Sequence, residues 1–436
     1  MRAFANRKHH TVIEMLFYLL GIFSTMQIIT IFDLTVFNIL LVIAFLSLLF
    51  CSRFYFRKSE KHIFILAVAT IFSLMSALFG NILPKEFISS TVMNSAVNIL
   101  ILGVAYMVSS RNDTKLIKAF IKGFYCSCII QIVWCILQYI LYNLGHLDLN
   151  KIIFDDLLHM ATDTSTYRNG KLVCTGLCWH AATLVPVLLF AYLKTKNWFA
   201  KVLYLFIAFE SKSATASIAI MICLFFDICF TIKKLLYKRY NKEDGIIFLL
   251  ATVLLVAVLY LARDRISDNL GSLIKRVKDI VSTEGGNSSA VHFSYYTQLP
   301  KIIKEYPIFV SLFGLGVGCS GFAFSDIFNQ YVGLVWVVES DYVNIFLSQG
   351  LFGLAAYYGI IIYFIRSSRG VSKKNIAYLL IMLLCGITYN VQFNWVLFFE
   401  LLTFRAIQSS EDIFECSLIS SSSQNIKNKE MVQSNA

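Results

Sequence analysis

Apolar runs of roughly twenty residues recur along nearly the whole chain, separated by short polar breaks. That length matches the hydrocarbon thickness of a bilayer crossed by an α-helix. The 436-residue chain is 58% hydrophobic and only 15% charged, too little polar surface for a soluble domain of this size. The pattern predicts an all-α, polytopic membrane bundle of about twelve transmembrane helices, at residues 11–30, 34–51, 62–80, 91–109, 117–143, 177–193, 199–211, 213–232, 245–262, 342–365, 375–391 and 393–408.

Charge placement tests that count independently. The formal net charge of +12 would suggest nucleic acid on a soluble protein. Here Lys and Arg gather in alternate breaks, as in Arg53-Arg57-Lys58-Lys61, Lys194-Lys196-Lys201 and Lys233-Lys234-Lys238-Arg239, and in both terminal segments. The positive-inside rule then puts both termini in the cytoplasm of a multi-pass plasma (cell inner) membrane protein, with the bilayer rather than nucleic acid as partner. Arg2, Arg7 and Lys8 precede a first span read as retained rather than cleaved. Residues 1–408 form the membrane domain, and 409–436 read as a disordered cytoplasmic tail.

Two outer gaps are long, at about 145–176 and 263–341. The second, between the ninth and tenth spans, carries Arg263, Arg265, Lys275, Arg276, Lys278, Lys301 and Lys304. Long loops are exempt from the positive-inside count, so these cations leave the topology intact. They imply an anionic ligand on the outer face. Glu14, Asp227 and Glu400 fall near predicted span ends, which argues against a relay through the membrane centre. Of four prolines only Pro186 lies within a span, and no paired, broken helices of the transporter kind are visible. Most of the eleven cysteines lie in apolar runs. Cys174, Cys178 and Cys319 fall outside, where a disulfide is an open reading. No zinc-like spacing occurs, and no metal or cofactor is expected.

Gly316-Val-Gly318-Cys-Ser-Gly321 matches a dinucleotide-binding fingerprint by letter, but no βαβ unit surrounds it. A tight turn leading back to the membrane is the better reading. From Ser288 to Tyr306 the apolar positions Val291, Tyr295, Leu299, Ile302 and Ile303 share one helical face. This helix either covers the bundle passively or forms a lid over an external cleft.

Five stretches recur in a telling order. They are Tyr167-Arg168-Asn169-Gly170, Thr175-Gly176-Leu177-Cys178-Trp179-His180, Glu210-Ser211-Lys212-Ser213, Lys301 to Pro307 with Leu312 to Gly318, and Glu339-Ser340-Asp341-Tyr342 with Leu347, Gly350 and Gly353. Over about residues 160–365 the chain resembles the O-antigen and capsular polysaccharide polymerases, which share a fold with the O-antigen ligases. The ligase-like relatives place His-Asn where Glu339-Ser340 stands. The resemblance implies joining of polyprenyl-diphosphate-linked oligosaccharides on the outer face, with a chain-length regulator as an optional partner. A flippase or exporter without chemistry is the alternative from another class.

Such a reaction develops charge on a leaving diphosphate, which fixed cations stabilise. The accepting hydroxyl benefits from a general base. The resemblance and the outer-face placement nominate Arg168, Lys212 and Arg276 for the diphosphate, supported by Arg263, Arg265, His180 and His292. Glu339 and Asp341 are nominated as catalytic, one or the other serving as the general base. Each has a plainer reading. Arg263, Arg265 and Lys212 could anchor helix ends at the headgroups, Asp341 could be an N-cap, and His180 could be a packed histidine.

Overall fold

A computed structural model of the chain describes residues 2–31, 34–51, 61–111, 113–158, 167–168, 171–178, 181–236, 253, 288–328, 338, 340–367, 373–388 and 394–408. The expected span at 245–262 and the tail after 408 lie outside the described residues, apart from Val253.

The described residues form α1 (Arg2–Phe23), a small hairpin of β1 (Thr30–Ile31) and β2 (Leu34–Thr35), α2 (Val36–Cys51), α3 (Lys61–Phe79), α4 (Lys85–Arg111) and α5 (Thr114–Gly145). A π-helical turn (Lys151–Leu157) and a second hairpin, β3 (Tyr167–Arg168) with β4 (Lys171–Leu172), lead to α6 (Leu184–Lys194), α7 (Trp198–Glu210) and α8 (Ala214–Leu236). Residues 288–328 of the long second gap are folded. They hold α9 (Ser288–Glu305), α10 (Ile308–Phe313) and α11 (Ser320–Phe328). The described residues end with α12 (Asp341–Ser367), α13 (Lys373–Thr388) and α14 (Asn394–Gln408).

Among the described residues four helical stretches are long and apolar enough to cross a membrane by length and composition, Lys61–Phe79, Lys85–Arg111, Thr114–Gly145 and Asp341–Tyr363, although the last is interrupted at Gly350. Five shorter apolar helices accompany them. Burial on α3 shows what surrounds the bundle. Its inner stripe includes Ala69, Thr70, Ser73 and Ala77, while Phe64, Ile71, Phe72 and Met75 point outward. A soluble helix does the reverse. Small residues inside and large apolar residues outside are the arrangement of a helix packed in lipid. Where α1 meets α5, Gly21 and Gly123 face each other's backbones. A Cβ on Gly21 would stand 2.6 Å from the Phe124 nitrogen. Close backbone approach replaces the hydrophobic effect that lipid removes.

Three predicted boundaries need correction. The first span ends at Phe23 instead of Thr30, and β1 and β2 follow. The sixth starts at Leu184 rather than 177, because the chain before it is a buried, non-helical ribbon, Leu172 to Cys178. The tenth is no single straight helix. Gly350 has φ 69° and ψ −172°, a conformation essentially reserved for glycine. Tyr342 and Tyr358 then stack at 4.7 Å between ring centroids and 6° between planes. In a straight helix sixteen residues would separate them by about 24 Å. The halves on either side of Gly350 therefore fold back on each other.

That break exposes carbonyls that have lost their helical partners. Leu347 O accepts from Leu315 N at 2.7 Å, and Ser348 O from Gly316 N at 3.0 Å and Ser73 Oγ at 2.5 Å. The glycine-rich stretch after α10 is thus a packed turn against the α12 break. Gly316 has φ 113° and lies against Thr91 and Ala77.

Gly350→Ala should destabilise the detergent-purified protein by more than about 2 kcal/mol, since the φ is forbidding and a Cβ would strike the Leu312 carbonyl. Gly359→Ala, on the same helix with nothing within 4 Å of an added Cβ, should unfold at the parent temperature or slightly above. Thermal unfolding of the pair checks this; equal melting of both variants would contradict the break.

Candidate functional site

Two polar assemblies lie within the apolar bundle. The first holds the ribbon Leu172 to Cys178, every residue of which is buried. Irregular backbone at membrane depth is tolerated only where protein satisfies its amides and carbonyls. Here two side chains of α5 do so. Gln138 Oε1 accepts from Gly176 N at 3.0 Å, and Gln131 Oε1 from Leu177 N at 2.6 Å. The Gln131 amide nitrogen donates to Thr25 O at 2.9 Å and Thr25 Oγ1 at 3.0 Å. Asn150 donates to Gly176 O at 3.1 Å and accepts from Trp134 Nε1 at 2.7 Å. Gln131, Gln138 and Asn150 were missed in the sequence. The signal was there: two glutamines seven residues apart share one face of an otherwise apolar helix.

The ribbon fixes what lies at its ends. Arg168 stands opposite Lys171 in the hairpin register. Beyond β4, Cys174 N donates to Glu210 O at 3.1 Å, tying the ribbon to the α7–α8 turn. There Lys212, at φ 52°, pairs with Glu210 at 3.3 Å. Lys212 is therefore not a bare cation, because a carboxylate already meets its charge. Cys174, Cys178 and Cys319 are free, correcting the open disulfide reading. Burial pushes the Cys174 thiol up to about 12, with Glu210 adding to the rise and Lys212 opposing it.

The second assembly surrounds Asp341. Expected where a span enters the membrane, Asp341 is instead buried, at 1% exposure. The fold-back at Gly350 carries the head of α12 to the level of Tyr358. Asp341 abuts α13, where a Cβ on Gly386 would stand 2.7 Å from its Oδ2. Tyr342 donates to Leu383 O at 3.0 Å. Tyr357 packs edge-on against Tyr358 at 5.1 Å and donates to Glu400 Oε2 at 2.8 Å. Glu400, expected near a span end, is 2% exposed within α14. Asp227 is likewise interior to α8 and pairs with Lys201, and Glu14 is interior to α1. The expected scarcity of charge within the bundle is thus overturned by Asp341 and Glu400, whereas Asp227 keeps a side chain 37% exposed. Hydropathy could not reveal them, because the surrounding residues are apolar enough to mask one carboxylate each.

Above Asp341 lies α9. Its apolar face follows the sequence reading at Tyr295, 3% exposed, and Ile302, 1% exposed; Ile303, at 40%, departs from it. Tyr296 reaches from this helix to Ser340 Oγ at 2.7 Å and donates to Ile387 O at 2.8 Å.

Of the residues nominated from sequence, Lys212 and Asp341 have described side chains, and they lie in different assemblies. Arg168 is placed by its strand and His292 by α9. Glu339, Arg263, Arg265, Arg276 and His180 lie outside the described residues. No protein-family model matches this chain, and no curated protein matches it.

Two measurements probe the first assembly. Gln131→Leu strands the Leu177 amide and the Thr25 acceptors, and should cost about 1–3 kcal/mol in thermal or denaturant unfolding. Cys174, 1% exposed, should resist a hydrophilic maleimide at pH 8 and label on denaturation without reductant. Labelling that requires a reductant would restore the disulfide.

Proposed function

We propose that this protein is a polymerase joining polyprenyl-diphosphate-linked oligosaccharide repeat units on the outer face of the plasma membrane. About twelve spans and two cytoplasmic termini belong to the same reading. The observation that carries it is the place of Asp341. Asp341, from the acidic motif that resembles the polymerases, is sheltered in the bundle beside α9.

In this reading a sugar hydroxyl of one lipid-linked unit attacks the anomeric carbon of another. The new glycosidic bond forms as the carbon–oxygen bond to the diphosphate breaks, and the diphosphate leaves with the electron pair. Asp341 or Glu339 takes the hydroxyl proton. Arg168, Lys212 and Arg276, with Arg263 and Arg265, meet the charge on the leaving group, and the arginine fork suits two phosphate oxygens. His180 and His292 are second-line donors. Lys212, already paired with Glu210, would contribute less than an unpaired arginine.

One observation favours a second reading. The break at Gly350 sets a half-helix inside the bundle, as in transporters that bind substrate at the midplane. That is the exporter without chemistry. The ligase reading gains nothing comparable, since Glu339-Ser340 replaces its His-Asn.

Deleting the gene and sizing the surface glycan separates the three. The polymerase predicts single repeat units on lipid or final acceptor. Long chains stranded on the carrier lipid would indicate the ligase, and lipid-linked units trapped inside would indicate the exporter. In the restored strain, Asp341→Asn should lower polymerised product about a hundredfold or more at unchanged protein level. Arg168→Ala and Arg276→Ala should shorten chains. Full-length chains in all three variants would sink the assignment of these residues.

A further inference from the structure

Asp341 poses an access problem. A carboxylate at 1% exposure cannot take a proton from a sugar hydroxyl until something moves. The element over it is α9. One end of this helix is moored to α11, where Tyr306 donates to Asp326 at 2.8 Å and Lys301 lies 4.8 Å from the Phe328 ring centroid. Tyr295 meets Phe324 edge-on at 5.0 Å. Beside Tyr295, midway along α9, Tyr296 makes two bonds that join the helix to both walls of the Asp341 site. Its phenol has one proton, which goes to Ile387 O near the end of α13; it therefore accepts from the hydroxyl of Ser340, next to Asp341.

We propose that Tyr296 is the latch of a lid formed by α9, holding the wall of α13 to the head of α12 and shutting Asp341 from the outer side until substrate displaces it. The proposal takes from the functional reading only that Asp341 must be reached from outside. Two hydrogen bonds from one side chain make a closure strong enough to persist and weak enough to open. Burial raises the pKa of the Tyr296 phenol, so it keeps its proton at ordinary pH. Mooring at Tyr306, Lys301 and Tyr295 makes the α11 side of the helix the pivot and the face carrying Tyr296 the side that lifts.

A native thiol reports the opening. Cys385 precedes Gly386 against Asp341 and is 5% exposed. In the full-length protein in detergent, its alkylation by a hydrophilic maleimide, read by peptide mass spectrometry, should be slow. Tyr296→Phe should accelerate it roughly tenfold through loss of both bonds. Tyr306→Phe, which loosens the moored end, should leave it near the parent rate. If Tyr296→Phe does not fold, Ser340→Ala removes one of the two bonds and should accelerate labelling less, in the same direction. A parent rate in the latch variant, or equal acceleration by Tyr306→Phe, overturns the proposal. No substrate takes part in the labelling. Full-length glycan from Asp341→Asn would therefore defeat the functional reading while leaving the latch to stand or fall on its own rates.

Discussion

A backbone amide or carbonyl buried in apolar surroundings without a partner costs several kcal/mol. The inner architecture of this protein follows from that constraint. Helices satisfy themselves, and wherever the chain leaves helical geometry inside the bundle a neighbour must supply the missing partner. At the ribbon the suppliers are Gln131, Gln138 and Asn150. At the α12 break they are Ser73 and the backbone of Leu315 and Gly316. Ser76 serves the adjoining Gly314 carbonyl at 2.6 Å. Each break is therefore a joint between elements distant in sequence. The ribbon locks α1, α5 and the α7–α8 turn together, and the break locks α3 to the loop helices. Both candidate assemblies sit at these joints, because there polar side chains are already required and backbone groups already point inward.

What could be read from the sequence follows the same division. Apolar runs and charge alternation report helices and lipid, so α2, α3, α5, α7 and α8 lie close to where they were expected. Hydropathy carries no information on whether an apolar stretch is helical. Leu172 to Gly176 was read as outer loop and Leu177-Cys178 as the start of a helix, and the stretch through Gly350 was read as one straight helix. Gly350 and Gly353 were noted as motif letters, yet only the φ at Gly350 shows that the first marks a reversal. Asn169-Gly170 between Arg168 and Lys171 is a two-residue hairpin signal that pointed to β3 and β4. Tyr296 could not have been singled out, because its partners Ser340 and Ile387 are brought to it by tertiary packing alone.

The two buried acids bear on function more than on stability. A carboxylate in a membrane interior is expensive, and apolar replacement of buried charge is often neutral or stabilising. Asp341 and Glu400 are thus poor candidates for scaffold roles. Their settings also differ. Asp341 stands in the first turn of a half-helix. Glu400 accepts from a phenol and lines a cavity of about 10 Å³ with Leu66, Tyr357 and Ile360. Tyr357 and Tyr358 stand between the two acids: Tyr357 donates to Glu400 Oε2, and Tyr358 stacks on Tyr342, the neighbour of Asp341. The fold-back at Gly350 creates this adjacency, since it brings the head of α12 to the level of Tyr358.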